Sequence, residues 1–339
     1  MNATATAADV LAGTRRNAVI VGDCLDGLRS LPDGCVQTCV TSPPYYGLRD
    51  YGNAAQIGQE ASPREFVEAL VAVFAEVRRV LADDGTLWVN LGDSYAANRS
   101  YQVPSTKGGP KHSPAQGNSG AMKVPEGLKP KDLMGVPWRV AFALQDAGWY
   151  LRSDVIWSKP NPMPESVTDR PTRAHEYVFL LSKRERYLYD ADAIKEHSVM
   201  KPQNRFTARA EHPKGDAGRS PHLRPEGGTS YDSRNARSVW NVPTEPFDGA
   251  HFATMPPELA RRCILAGSRR GDVVLDPFAG AGTTALVAVG NGRRALGCEL
   301  NPEYARIALD RVAAVDTDAA EPVRVEAPAW GALFDVRVA

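Results

Sequence analysis

The chain has 339 residues, 40 Lys+Arg against 40 Asp+Glu, no formal net charge, and 43% hydrophobic residues. That balance excludes a polycation that coats nucleic acid by bulk charge, and equally an acidic disordered chain. The length allows one large α/β domain with insertions, or two domains, because single cores stop growing at about 250–300 residues. The five cysteines (Cys24, Cys35, Cys39, Cys263, Cys298) contain no C-x-x-C pair, and MNATATAADV lacks the basic opening and apolar run of a signal peptide. A reduced, cytoplasmic setting is therefore expected. No stretch approaches the ~20 consecutive apolar residues of a bilayer span, so no membrane is expected either.

Residues 17–23 (NAVIVGD) read as a short buried strand ending in Asp23, followed by a helix through CLDGLRSLP that Pro32, Asp33 and Gly34 end. A second strand, 36–42 (VQTCVTS), stops at Pro43-Pro44, because consecutive prolines neither donate to a ladder nor continue a helix. Phe66, Leu70, Val73, Phe74, Val77 and Leu81 recur at helical spacing, and Gly85 precedes the strand TLWVNL. This alternation predicts a mostly parallel sheet with helices on its faces.

Periodicity disappears between 96 and 131, in a long loop rich in Gly, Pro, Ser and Lys, of a length at which loops act as lids or remain disordered. A helix over 136–147, the strand WYLRSDVIW, a proline-broken turn (SKPNPMPES) and the strand HEYVFLLSK follow. A second aperiodic stretch spans 195–240. After it come the helix PPELARRCILAG and an alternating block: strand 272–276, a glycine turn, the helix TTALVAV, strand 294–300, and a helix opened by Asn301-Pro302-Glu303. The tail 316–339 carries no structural signal.

Two segments carry chemistry. In Asp276-Pro277-Phe278-Ala279-Gly280-Ala281-Gly282-Thr283-Thr284, paired glycines let backbone approach a ligand, and the following helix start offers free N–H groups. Glu299, ending the next strand, is placed to accept ribose hydroxyls, so the pair reads as a nucleoside-cofactor site. A P-loop reading fails for want of Gly-Lys-[Ser/Thr]; an NAD reading survives on spacing, with Ala285 in the third glycine position. A carboxylate at Asp276 repels a pyrophosphate but accepts from an ammonium, which favours S-adenosylmethionine. The second segment is Thr41-Ser42-Pro43-Pro44-Tyr45-Tyr46, at a strand carboxyl end where open α/β sheets bind ligands. A hydroxyl, ladder-free carbonyls and an aromatic face suit a planar, amino-bearing base.

Together these segments resemble the amino-group DNA methyltransferases, whose signatures are [Asp/Asn/Ser]-Pro-Pro-[Tyr/Phe] and D-P-F-x-G-x-G-T-T. The catalytic motif comes first, the order of the permuted β group. Further matches are Asn90-Leu91-Gly92-Asp93-Ser94-Tyr95, Trp157 to Pro162, and His251 to Pro256. The resemblance implies a doubly wound, Rossmann-like, permuted methyltransferase domain over 17–315, with 96–135 a basic lid-like loop and 195–240 a variable target-recognition insertion. It implies catalysis by Ser42, Pro43, Pro44 and Tyr45 on a flipped base in double-stranded DNA. It also implies S-adenosylmethionine held by Asp276, Phe278, Gly280, Gly282 and Thr283 on the methionine side, Phe252 and Thr254 closing that end, Glu299 at the ribose and Asp23 at the adenine amino group. Asp23 is equally suited to capping the next helix.

Serine in the first motif position, preceded by threonine, resembles N4-cytosine members and favours cytosine over adenine N6. An NAD-dependent oxidoreductase and an inactive DNA-binding homologue are the remoter readings. No cysteine follows a proline, so the covalent thiolate route of cytosine-C5 enzymes is not expected, and the histidines have no metal-ligand spacing. The resemblance leaves two settings open: a restriction-modification system with a cognate restriction endonuclease acting on the same site, or an unpaired or phage-borne methylase. The stretch 96–135 has six Lys+Arg against two Asp+Glu and 195–240 nine against five, so both inserts are basic while the remainder is acidic. Lys159, Arg205, Arg209, Arg234 and Arg237 are the candidate contacts to phosphates or guanine edges.

Overall fold

The computed structural model describes residues 6–47, 56–96, 124–125, 127–197, 233–245 and 255–315. The chain divides into a main unit, Met1–Asp190 with Ser238–Ala339, and a second unit, Ala191–Arg237. The main unit opens with α1 (Ala7–Ala12), β1 (Asn17–Val21), α2 (Cys24–Arg29), β2 (Val36–Thr41), α3 (Pro63–Val80) and β3 (Leu81–Leu91). It continues with α4 (Val136–Asp146), β4 (Tyr150–Ser158) and β5 (His175–Ser182). The second unit carries a short 3₁₀ turn (Asp192–Ile194) and a two-residue hairpin ladder, β6 (Glu196–His197) with β7 (Ser233–Arg234). The main unit then completes itself with β8 (Val239–Asn241), α5 (Pro257–Gly267), β9 (Val273–Asp276), α6 (Thr283–Gly290), β10 (Arg294–Glu299) and α7 (Pro302–Ala313).

The eight-stranded sheet has the order β1-β10-β9-β2-β3-β5-β4-β8. Neighbours are parallel except for the two ladders of β5, which runs against β3 and β4. Helices α2, α3 and α4 pack among themselves, as do α5, α6 and α7. Strand β3 separates the two sets by its period-two alternation: Leu87, Val89 and Leu91 enter the large core with Phe66, Leu70 and Phe74 of α3, while Trp88 stacks on Trp240 and faces Gly267 of α5. A Cβ at Gly267 would lie 2.6 Å from Thr86 Oγ1, so α5 can approach the sheet this closely only with glycine there. The sheet is therefore covered on both faces, and its central strands β9 and β2 are almost wholly buried.

Two elements depart from the sequence expectation. Helix α1 is too short to show a hydrophobic period, yet a reciprocal Thr6/Asp9 capping box and Gly13 at φ +80° close its two ends. Strand β3 begins at Leu81, five residues before the expected TLWVNL, and pairing jumps from Val36↔Leu81 to Thr38↔Thr86. The residues between, Ala82 to Gly85, bulge out of the ladder. Among the described residues no helix is long and apolar enough to cross a membrane.

Candidate active site

Parallel pairing brings the carboxyl ends of β1, β10, β9 and β2 to one edge, where Val21 pairs Glu299, Gly297 pairs Asp276, and Cys39 pairs Leu275. The two sequence motifs meet there directly: Thr41 Oγ1 donates to Asp276 Oδ1 at 2.6 Å. Asp276 is 6% exposed, and burial raises its pKa although Thr41, Thr284 and the Phe278 N–H oppose the shift. From Asp276 the chain turns through Gly280 at φ +52° and Gly282 at φ +75° into α6, whose first turn has no side-chain cap. A Cβ on Gly282 would sit 2.6 Å from Ala308 Cβ, so this turn needs glycine for conformation and for clearance from α7. Thr283 is buried at the start of α6, beside Arg311, and Phe278 is half-buried against the large core.

Glu299 braces the same turn. Its Oε2 accepts from Gly280 N (2.7 Å) and its Oε1 from Asn301 N (2.8 Å), and burial raises its pKa. Asp23 lies one strand over and is the N-cap of α2, Oδ1 accepting from Leu25 N (2.8 Å) and Asp26 N (3.3 Å). These bonds leave Asp23 Oδ2 for a ligand, and part of the accepting capacity of Glu299, which the Leu300 N–H also draws on.

Next to Asp276, Ser42 is half-buried and Pro43 buried, and the Tyr45 ring turns back over Gly92, where a Cβ would come within 2.6 Å of Cε2. The Tyr45 hydroxyl donates to Glu176 Oε2 (2.6 Å). Asn90 Nδ2 donates to that hydroxyl (2.8 Å), to Glu176 Oε2 (3.0 Å) and, at 3.4 Å, to Ser42 Oγ. Lys159 pairs with the other Glu176 oxygen, and its ammonium lies 4.3 Å from the Trp157 ring centroid. Lys159 is thus no free phosphate contact: its side chain is 18% exposed, and its charge is spent on Glu176 behind Tyr45. Sequence reasoning missed Glu176, although a lone acid just before the run Tyr177 to Leu181 of this strand was a signal, and it gave Asn90 no role.

Asp93 caps α4, accepting from Gly135 N and Val136 N, and Arg170 stacks on Tyr95 at 3.9 Å. Phe252, Thr254, Arg205 and Arg209 lie outside the described residues. Arg234 and Arg237, in the second unit, converge on Glu196 through Nε, at 3.3 and 3.1 Å. Burial alone would raise the Glu196 pKa, but these partners hold it low. They are therefore partly engaged, and only their terminal nitrogens extend beyond these two bonds. Cys39, Cys263 and Cys298 are buried, and burial pushes the Cys24 thiol up to about 12. Neutral thiols of this kind are poor nucleophiles. Among the described residues no cluster of His, Cys, Asp and Glu could hold a metal.

Three acids, Asp23, Asp276 and Glu299, thus gather at the carboxyl ends of β1, β9 and β10 beside an uncapped helix start, and the hydroxyl-Pro-Pro-aromatic segment adjoins them at the end of β2. An acid-lined glycine turn suits a cationic, hydroxyl-rich nucleoside better than a pyrophosphate, so the residues present fit S-adenosylmethionine.

Comparison with known proteins shows the family. The model of the N6/N4 methyltransferase family, described as DNA methylase, matches residues 36–310. The Type II methyltransferase M.Cfr9I of Citrobacter freundii is 51% identical over 298 residues, 88% of this chain and 88% of that protein. M.SmaI of Serratia marcescens is 48% identical over 295 residues, 87% of this chain and 90% of that protein. The Thermus thermophilus protein TTHA0409, solved with S-adenosyl-L-methionine, superposes with a TM-score of 0.54 at 25% identity, covering 91% of this chain and 99% of that one. The cytosine-N4-specific PvuII DNA methyltransferase shares the fold with a TM-score of 0.58 at 19% identity, covering 88% of this chain and 86% of that one.

Proposed function

From the premise that the chain belongs to the N6/N4 DNA methylase family, as a β-group, sequence-specific DNA methyltransferase using S-adenosylmethionine, we propose that its target is the exocyclic N4 of a cytosine flipped out of duplex DNA. The observation that carries this is Ser42. The neighbouring carboxylates are committed elsewhere, Asp276 to Thr41 and Glu176 to Tyr45, Asn90 and Lys159, so the acceptor offered to the amine is a neutral hydroxyl, as in the N4-cytosine members this motif resembles.

S-adenosylmethionine supplies an electrophilic sulfonium methyl. Asp276, Phe278, Gly280, Gly282 and Thr283 line its methionine side, Glu299 accepts from the ribose, and Asp23 accepts from the adenine through Oδ2. Tyr45 gives the flipped base an aromatic face, with the ring held by Gly92, Asn90 and Glu176. Ser42 Oγ and the Pro43 carbonyl accept from the amine, draw its lone pair out of conjugation with the ring and aim it. No side chain becomes covalently linked. The segment 195–240 reads the sequence, with Arg205, Arg209, Arg234 and Arg237 contacting phosphates or guanine edges. The protein is the protecting half of a pair with an endonuclease that cuts the same site.

Single-molecule sequencing of DNA from cells expressing the protein tests this reading: N4-methylcytosine at one recurring motif supports it, and N6-methyladenine contradicts it. A Ser42→Ala, Tyr45→Ala double variant that transfers tritiated methyl to DNA at the native rate would remove the catalytic assignment.

A further inference from the structure

We propose that Met163 is the wedge that enters the duplex in place of the flipped nucleotide. The inference rests on the base-flipping reading above and adds the residue that makes flipping possible on paired DNA. Residues 159–174 join β4 to β5 at the edge of the sheet that carries Ser42 to Tyr45, since Ser158 pairs His175 and Leu91 pairs Tyr177. Both stems of this loop are fastened to the base-stacking side chain, because Lys159 and Glu176 pair with each other and Glu176 accepts from Tyr45.

Within this loop Met163 is 84% exposed, more than any other large hydrophobic residue described. A singly exposed apolar residue is ordinary in itself. What distinguishes Met163 is that its loop is braced on both sides. Pro162 and Pro164 flank it and Pro160 precedes them, each fixing φ near −65° and offering no N–H. Asn161 ties the near side to Thr244, donating from Nδ2 to its carbonyl (3.0 Å) and accepting from its N–H (2.9 Å). Glu165 ties the far side, accepting from Arg170 (2.7 Å) and from Arg173 N (3.2 Å), while Arg170 stacks on Tyr95. An unbranched thioether is therefore presented to solvent from a braced hoop next to the stacking tyrosine.

Extruding a nucleotide leaves a gap in the stack and an orphaned partner base, and an apolar side chain inserted there replaces the lost stacking. Methionine fits because it is slender, flexible and polarizable, and needs no hydrogen-bond partner. Met163 does not touch the methylated nitrogen. It is a positioning residue for the substrate, and its contribution appears only when the target base must be unpaired.

The test is single-turnover methyl transfer by full-length wild type, Met163→Ala and Met163→Leu. Each is assayed on a synthetic duplex carrying the site found by sequencing, and on the same duplex with a mismatched base opposite the target. Met163→Ala should slow transfer about tenfold on the paired duplex and recover to near the wild-type rate on the mismatched one, where the extrusion cost is already small. Met163→Leu, which keeps an apolar wedge, should stay close to wild type on both. Equal rates for Met163→Ala and wild type on paired DNA overturn the proposal. So does an equal loss on both duplexes, or a loss that accompanies a changed sedimentation coefficient of the DNA-free protein. Wild type that leaves both duplexes unmethylated overturns the base-flipping reading itself, a result distinct from all of these.

Discussion

Glu176→Gln probes the arrangement behind Tyr45 most sharply. Its carboxylate accepts from the Tyr45 hydroxyl at 2.6 Å and Asn90 at 3.0 Å and pairs with Lys159, with the two charged side chains 13% and 18% exposed. Neutralising Glu176 leaves the Lys159 ammonium in a largely desolvated place without its counter-charge. Breaking such a pair from one side costs on the order of 3 kcal/mol when a similar-sized neutral group remains. For a domain of this size that corresponds to a melting temperature lower by roughly 6 °C. Tyr45 loses its strongest acceptor at the same time, and displacing a positioning side chain by about 1 Å costs on the order of a hundredfold in rate. The assays are a thermal melt of the cofactor-free protein and single-turnover transfer of tritiated methyl. Adding Lys159→Met separates the two effects: with no lone charge left, the double variant should regain most of the melting temperature while the rate stays low. A Glu176→Gln protein that melts and turns over like wild type would refute the reasoning.

Other perturbations have equally definite outcomes. Burial raises the folded-state pKa of Asp276 and Glu299 above their ordinary values of 3.8 and 4.5. Their contribution to stability is therefore fully present below those values and is lost as pH rises through the raised ones. Asp276→Asn should accordingly make the cofactor-free protein more stable at pH 7, flatten its stability profile above pH 4, and weaken S-adenosylmethionine binding at least tenfold by calorimetry. Gly282→Ala combines φ +75° with a Cβ 2.6 Å from Ala308 and should cost about 2 kcal/mol in a urea titration. The three atoms nearest a Cβ at Gly92 all belong to the Tyr45 ring, so Gly92→Ala should lower kcat while leaving the affinity for S-adenosylmethionine unchanged, as equilibrium dialysis would show.

What the sequence disclosed and what it withheld divide along physical lines. The glycine turn and Pro-Pro segment were legible because each is a local backbone requirement written into consecutive residues. Their contact through Thr41 and Asp276 was not, since it spans 235 positions and depends on β2 and β9 being neighbours. Strands β4 and β5 were visible from their apolar runs, but not the antiparallel setting of β5, because pairing direction leaves no mark on composition. Glu176 and Lys159 could be recognised as partners only once β4 and β5 were paired, which is why the lysine read as a phosphate contact. Asp23 was legible on one of its two readings: the resemblance suggested a ligand and the position before Cys24 suggested a helix cap, and the structure shows the cap.

The central claim is that Ser42 and its neighbours direct a methyl group to the N4 of cytosine. Its most direct test is mass spectrometry of nucleosides released from duplex DNA after incubation with purified protein and deuteromethyl-labelled S-adenosylmethionine. The account predicts labelled N4-methylcytosine with wild type and at least a hundredfold less with Ser42→Ala. Label in N6-methyladenine or 5-methylcytosine, or undiminished label with the variant, would contradict it.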